Sequence, residues 1–206
     1  MRLLLMRHGE TAWNAEGRFQ GQSDVPLSPH GQWQAAALAR VIAAESVQAL
    51  YSSDLRRAWD TAVILAESLR LPVQQEPRLR EMAFGCWEGF TYAELQQDDA
   101  ARLAAWQDDP MQTAPPGGET LAQVTDRVNA VLTAMASVPQ DHTVALVAHG
   151  GPLRVLLCLA LGLSSRSYWQ FMLAPASCSE LQLSERGAVL TRLNDTHHLT
   201  EVDHGG

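Results

Sequence analysis

The sequence predicts an α/β fold: a three-layer α/β/α sandwich whose central sheet is mostly parallel, with helices on both faces. Three observations predict it. Short stretches that fit strands (Arg2–Met6, Ala49–Ser53, Pro72–Gln75 and Thr143–Ala148) alternate with longer segments of helical period. Those longer segments carry helix-start signals. The 206 residues are 46% apolar, enough for one buried core and short for two, so a single domain over 1–206 is expected.

Taken in order, Arg2–Met6 is an apolar run of the buried-strand type. The stretch Arg7–Leu27 is polar, Gly-containing and too irregular for one long element. Ser28 then caps a helix with Pro29 at its first position, and Trp33, Ala37, Leu38, Val41 and Ile42 form the apolar stripe. After the strand Ala49–Ser53, Asp54 is placed to cap a second helix. Its Leu55, Trp59, Ala62, Ala66 and Leu69 recur four and three apart on one face. Glu81–Gly89 and Asp108–Gly118 read as loops, and Tyr92–Trp106 as a weakly periodic helix. Thr120-Leu-Ala-Gln123 is a capping box, opening a helix that faces the core through Leu121, Val124, Val128, Leu132 and Met135. Thr143–Ala148 is the clearest buried strand, and a helix apolar nearly all round follows His149-Gly-Gly-Pro152. Leu181–Ser184 and Val189–Leu193 form a closing hairpin.

Composition excludes several chemistries. All 15 basic residues are Arg, so there is no P-loop lysine, no kinase ATP lysine, no lysine Schiff base and no Ser-Lys dyad. Cys86, Cys158 and Cys178 form no CxxC pair, and none has Arg six residues later, which removes a cysteine-nucleophile phosphatase loop. The net charge of −8 argues against a nucleic-acid coat or an anionic-membrane binder. Met1–Met6 is too short for a signal peptide. Pro152–Leu163 is too short to span a bilayer and contains Arg154, so a soluble, cytoplasmic protein is expected.

The chemistry collects at two strand ends. The first strand runs into Arg7-His8-Gly9-Glu10-Thr11, and the strand from Thr143 runs into His149-Gly150-Gly151. In such sheets ligands bind beyond the carboxyl ends of the strands. Gly lets backbone approach a ligand and leaves N–H groups free for oxygen. Arg7 adjoins His8, and one of Arg56 and Arg57, at a helix start, must point the same way while the other is solvated. Arg forks match phosphate oxygens bidentately. Flanking Arg charges would also oppose protonation of His8 and keep it a nucleophile. Glu81 by itself reads as a surface partner of Arg78 or Arg80. His197, His198 and His204 fit no metal-ligand spacing and read as a solvated tail; His30 and His142 read as surface. Phe84, Trp87, Tyr92 and Trp106 read as core, with stacking on a flat substrate group as the alternative.

Leu5-Met-Arg-His-Gly-Glu-Thr11, Asn14, Ser53-Asp-Leu-Arg-Arg-Ala58, Glu81 and His149-Gly-Gly together resemble the phosphoglycerate-mutase-like branch of the histidine phosphatase superfamily. The resemblance implies a phosphohistidine mechanism without metal or other cofactor, acting on a small-molecule phosphomonoester. By position it makes His8 the nucleophile, puts Arg7, Arg57 and His149 in the phosphate pocket, and makes Glu81 the proton donor. It assigns Asn14, Gln20, Gly21 and Gly150 to substrate binding and leaves a homodimer open. The stretch Thr91–Pro116 holds one Arg and several acids, unlike the longer basic insertion of the mutases, which implies a phosphatase. Glu81–Gly89, Trp106, Pro116-Gly-Gly-Glu-Thr120 and Leu190–Asp195 look most like α-ribazole phosphatases. Broad-specificity, fructose-2,6-bisphosphatase-like and mutase activities, and an inactive phosphate-binding scaffold, are the alternatives. The acids of Thr91–Pro116 are also expected to repel substrates that carry several negative charges.

Overall fold

The computed structural model describes residues 1–200. Strands β1 (Arg2–Arg7), β2 (Ala49–Ser52), β3 (Val73–Gln75) and β4 (Thr143–Ala148) are parallel to one another. The hairpin β5 (Cys178–Ser184) and β6 (Gly187–Asp195) adds two antiparallel strands on the other side of β1. The sheet order is β3-β2-β4-β1-β5-β6. The α/β expectation with a mostly parallel sheet is therefore met.

Period-two side chains sort the core into two layers. Leu3, Leu5, Val144, Leu146 and Ala148 face helices α6 (Leu121–Met135) and α7 (Gly150–Ala160). Leu4, Met6, Ala145 and Val147 face α2 (Pro29–Ile42) and α3 (Arg56–Leu69). Every residue of β4 is buried, as a central parallel strand covered on both faces must be. Short elements fill the loops: α1 (Ala12–Ala15), α4 (Tyr92–Asp98), α5 (Ala100–Asp108), and 3-10 turns at Pro77–Leu79 and Gly85–Trp87.

Several sequence expectations are corrected. Val41 is exposed, whereas Ala35 and Ala39 are buried, Ala39 in the cluster under the sheet. Leu132 is half-buried, and Val131 turns into the core instead. Asp54 does not cap α3: its carboxylate goes to Arg80, while Asp24 Oδ1 accepts the Arg56 N–H. Tyr92–Trp106 is two helices broken at Asp99, which leaves the helical region and accepts a hydrogen bond from Trp87 Nε1. His198 is buried and bonded through Nε2 to the Ala176 carbonyl, whereas His197 is exposed and His204 lies outside the described residues.

Candidate active site

Parallel pairing of β1 with β4 sets Arg7 against Ala148, so the residues that follow them, His8 and His149, emerge side by side. The His8 N–H donates to the Ala148 carbonyl (3.0 Å), and the two rings lie 5.0 Å apart between centroids. Strand β2 pairs on the far side of β4 and delivers Ser53, whose Oγ lies 2.9 Å from His149 Nε2. In the first turn of α3, Arg57 is fully buried while Arg56 is exposed, which resolves that pair as expected.

The orientation of His8 follows from one contact. Its Nδ1 lies 2.7 Å from the Gly9 carbonyl. A carbonyl only accepts, so the neutral ring carries its proton on Nδ1 and its lone pair on Nε2. Burial, then the charges of Arg57 and Arg7, hold the His8 pKa well below the ordinary 6.5. Burial and the same arginines depress His149 too. Arg7 is lowered to about 10 by burial, against the opposing pull of Glu81.

The cations are held by carbonyls rather than by carboxylates. Arg57 donates to the carbonyls of Gly21 (2.7 Å) and Ser23 (2.8 Å), and Arg7 to that of Leu173 (2.6 Å). Among the described residues, the buried atoms Arg7 Nε, Arg57 Nε and His149 Nδ1 have no hydrogen-bond partner. Unmet buried donors around a depressed, lone-pair-bearing histidine suit an oxyanion.

Glu81 does not pair with Arg78 or Arg80, which face Glu76 and Asp54. Its carboxylate accepts from the N–H of Met82 (2.9 Å) and, through both oxygens, from that of Gly151 (3.1 and 3.2 Å). A Cβ on Gly151 would overlap that carboxylate. From α6, Arg127 donates to the carbonyls of Arg78, Arg80 and Glu81 and fixes the backbone beneath it.

Asn14, Gln20 and Gly21 line a cavity of about 170 Å³ together with Arg7, His8, Arg57 and Glu81. Asn14 closes a capping box with Thr11, and Gly21 sits at φ 51°, a left-handed conformation that suits Gly. Gly150 instead lines an adjoining cavity of about 250 Å³, which shares Arg7, Phe19, Glu81 and Phe84 with the first. His149 is wholly buried beside His8. Of the flagged aromatics, Phe84 and Trp106 reach the second cavity, Trp87 is core and Tyr92 is exposed.

Sequence reasoning missed Ser53, Thr61, Glu88, Arg127, Arg154 and Tyr168. Thr61 Oγ1 accepts the Gly9 N–H and donates to the Arg57 carbonyl. Glu88 bonds Gln22 and Ser23, bracing the loop that holds Arg57. Of the acids of Thr91–Pro116, Asp99 faces Trp87 and Arg102, Asp109 faces Arg166, and Glu94 faces Arg18; none of them lines the two cavities. Among the described residues no group of His, Cys, Asp and Glu is arranged to hold a metal ion, and no helix is long and apolar enough to cross a membrane.

The sequence model of the histidine phosphatase superfamily, branch 1, matches residues 3–196. The chain belongs to that superfamily. This histidine phosphatase is 36% identical to phosphoserine phosphatase 1 of Hydrogenobacter thermophilus, over 98% of its own length and 95% of the relative's. It is 40% identical to glucosyl-3-phosphoglycerate phosphatase of Mycolicibacterium vanbaalenii, covering 89% and 84% of the two chains. The crystal structure of the α-ribazole phosphatase from Shigella flexneri superposes with a TM-score of 0.88 at 32% identity, covering 95% and 97%. The phosphatase expectation is thereby met.

Proposed function

We infer that this histidine phosphatase hydrolyses small phosphomonoesters through a phosphohistidine on His8. The observation that carries the reading is the ring of unmet buried donors, Arg7 Nε, Arg57 Nε and His149 Nδ1, around His8. His8 Nε2 attacks phosphorus, the ester P–O bond breaks, and the leaving alkoxide takes a proton from Glu81. Arg7, Arg57 and His149 stabilise the charge on the transferring phosphoryl oxygens. Ser53 Oγ accepts the Leu55 N–H and can give its own proton to His149 Nε2, which leaves Nδ1–H as the donor toward the phosphoryl group. In the second half, Glu81 takes a proton from water as its oxygen attacks phosphorus. The P–N bond breaks, inorganic phosphate leaves and His8 is restored.

Asn14, Gln20 and Gly21 bound the phosphoryl end, and Gly150 the leaving-group end. α-Ribazole 5′-phosphate, expected from the motifs, is one substrate reading. Support comes from the aromatic wall of Phe19, Phe84, Trp106 and Tyr168, and from the likeness to the Shigella enzyme. A second reading is a phosphomonoester with a carboxylate near the ester, as in phosphoserine and glucosyl-3-phosphoglycerate. It is favoured by Arg154, which shares a cavity with Arg7 and Glu81. One domain over 1–206 and a cytoplasmic location belong to the same reading, the latter fitting the free thiols Cys86, Cys158 and Cys178.

The test is rapid-quench labelling with a phosphomonoester. An acid-labile, alkali-stable adduct should form, vanish in His8→Ala, and survive exhaustive EDTA dialysis. An active His8→Ala protein, or activity lost on chelation and restored by a divalent ion, would overturn the mechanism.

A further inference from the structure

Among the described residues, Arg70, Ala176 and Asn194 take a positive φ without being Gly. Arg70 ends α3, where the left-handed conformation is ordinary. The other two meet at one place, since Asn194 Oδ1 accepts the Ala174 N–H at 2.6 Å. Asn tolerates a positive φ, whereas Ala sets its Cβ against it. Ala176, at φ 54° and wholly buried, is therefore the strained residue of the pair.

The strain sits in a turn that touches the nucleophile. The Ser177 N–H donates to the Ala174 carbonyl, closing a turn over 174–177 with Pro175 at its second position. A positive φ at the third position is that of a type II turn, where Gly is favoured. Arg7 and His8 both lean on this turn. The Ala176 N–H donates to the His8 carbonyl (3.0 Å), the Arg7 N–H to the Ser177 carbonyl (3.1 Å), and the Arg7 guanidinium to the Leu173 carbonyl just before the turn (2.6 Å). Relaxing Ala176 to a negative φ flips the Pro175–Ala176 peptide, as in the change from type II to type I, and takes its N–H off His8.

What opposes that relaxation follows β6. Asp195 accepts the His197 N–H and starts a 3-10 turn, His197–Leu199, that packs against α2. There His198 is buried, and its Nε2–H donates to the Ala176 carbonyl at 3.0 Å. Ala176 is closed to solvent, so no water replaces that donor without rearrangement.

We propose that His198 is a positioning residue for the nucleophile: it latches the turn at Ala176 in its left-handed form, and through Ala176 it keeps His8 aligned for attack. This rests on the reading of His8 as the phosphohistidine. His198 lines neither cavity of the site and acts only through the turn.

The experiment is single-turnover labelling of His8 at saturating p-nitrophenyl phosphate and at saturating glycerol 3-phosphate. His198→Ala should slow labelling by roughly 10- to 100-fold, the scale of a displaced reacting group. The loss should be equal on the two esters, because the nucleophile and not the proton donor is displaced. His198→Gln, which keeps a donor, should recover part of the rate. The deciding comparison repeats His198→Ala on an Ala176→Gly background. Gly takes either sign of φ about as readily, so the missing latch should there cost only about twofold in labelling rate. A His198→Ala protein that melts lower yet labels at the wild-type rate would make His198 a stability residue and overturn the proposal. An undiminished loss on the Ala176→Gly background would overturn it as well, since the strained turn would not be the link. If His198→Ala does not fold, His198→Gln takes its place, and its smaller loss should likewise shrink on that background. A wild-type chain that takes no label on His8 overturns the phosphohistidine reading and the latch with it; the other outcomes leave that reading standing.

Discussion

Gly151→Ala isolates the role of Glu81 without touching its carboxylate chemistry. The new Cβ would overlap Glu81 Oε1, which the Gly151 N–H now holds at 3.1 Å. The carboxylate must swing away, losing that charge-assisted bond while keeping at best its contact with the Met82 N–H. Such a bond contributes about 1.5–3 kcal/mol. A reacting group displaced by about 1 Å costs on the order of 100-fold in rate. Loss of proton donation itself costs roughly 100- to 10,000-fold, but only where the leaving group needs a proton.

Gly151→Ala should therefore slow phosphoenzyme formation from an alkyl phosphate by about 100-fold, following the reasoning on misplacement. With p-nitrophenyl phosphate, whose leaving group departs unprotonated, it should cost far less. Glu81→Gln should show the same leaving-group dependence. Folding is not the confounder: Gly151 is helical, and Ala there is intrinsically favoured over Gly by about 1 kcal/mol. Thermal stability should thus change little while the rate falls. Single-turnover phosphohistidine formation on the two substrates, with a melting curve for each variant, is the assay. Equal losses on both substrates, or none on either, would remove Glu81 from the proton-donor role.

Two further outcomes follow from the buried histidines. His8 and His149 are held well below 6.5, by burial first and Arg57 next, so between their folded values and about 6.5 the unfolded chain binds more protons. Stability should be full above pH 6.5 and fall below it by up to about 1.4 kcal/mol per pH unit for each histidine. A urea midpoint unchanged between pH 7.5 and 5.5 would contradict this; Asp54, Glu76 and Glu180, lowered by their arginines, act only at more acid pH. His198→Ala should cost about 1–3 kcal/mol by leaving the Ala176 carbonyl unpaired. His198→Gln, which keeps a donor, should recover part of the lost melting temperature.

Sequence and structure agree where the signal is local. Thr143–Ala148 reads as a buried strand because every residue is apolar or small, and a central parallel strand needs nothing more. Ser28-Pro29 and Thr120–Gln123 mark helix starts because capping involves only neighbouring residues. Reading fails where a tertiary partner competes. Asp54 is a plausible cap until Arg80 arrives from 26 residues away. The Tyr92–Trp106 pattern runs on through Asp99, which Trp87 draws out of helical geometry. His198 looks like tail because nothing nearby in sequence shows that Ala176 needs a donor.

The same divide runs through the site. The phosphoryl end is legible because its two histidines stand at strand ends, each announced by an adjacent glycine, and parallel pairing of β1 with β4 does the rest. The supports are not. Arg127 reaches Glu81 from another layer, and Thr61 ties Gly9 to α3 through one hydroxyl. Arg154 is the hardest, because in a chain whose only strong cation is arginine its identity carries no information. What distinguishes it is the lack of a partner, a property of the folded molecule alone. The acidic stretch is equally opaque in sequence: Asp99 pairs with Arg102 and accepts from Trp87 Nε1, and Asp109 pairs with Arg166. Local net charge therefore does not tell which charges stand on a pocket wall. The relevant quantity is the charge left unpaired on its wall, and in the leaving-group cavity that charge includes the unpartnered cation Arg154.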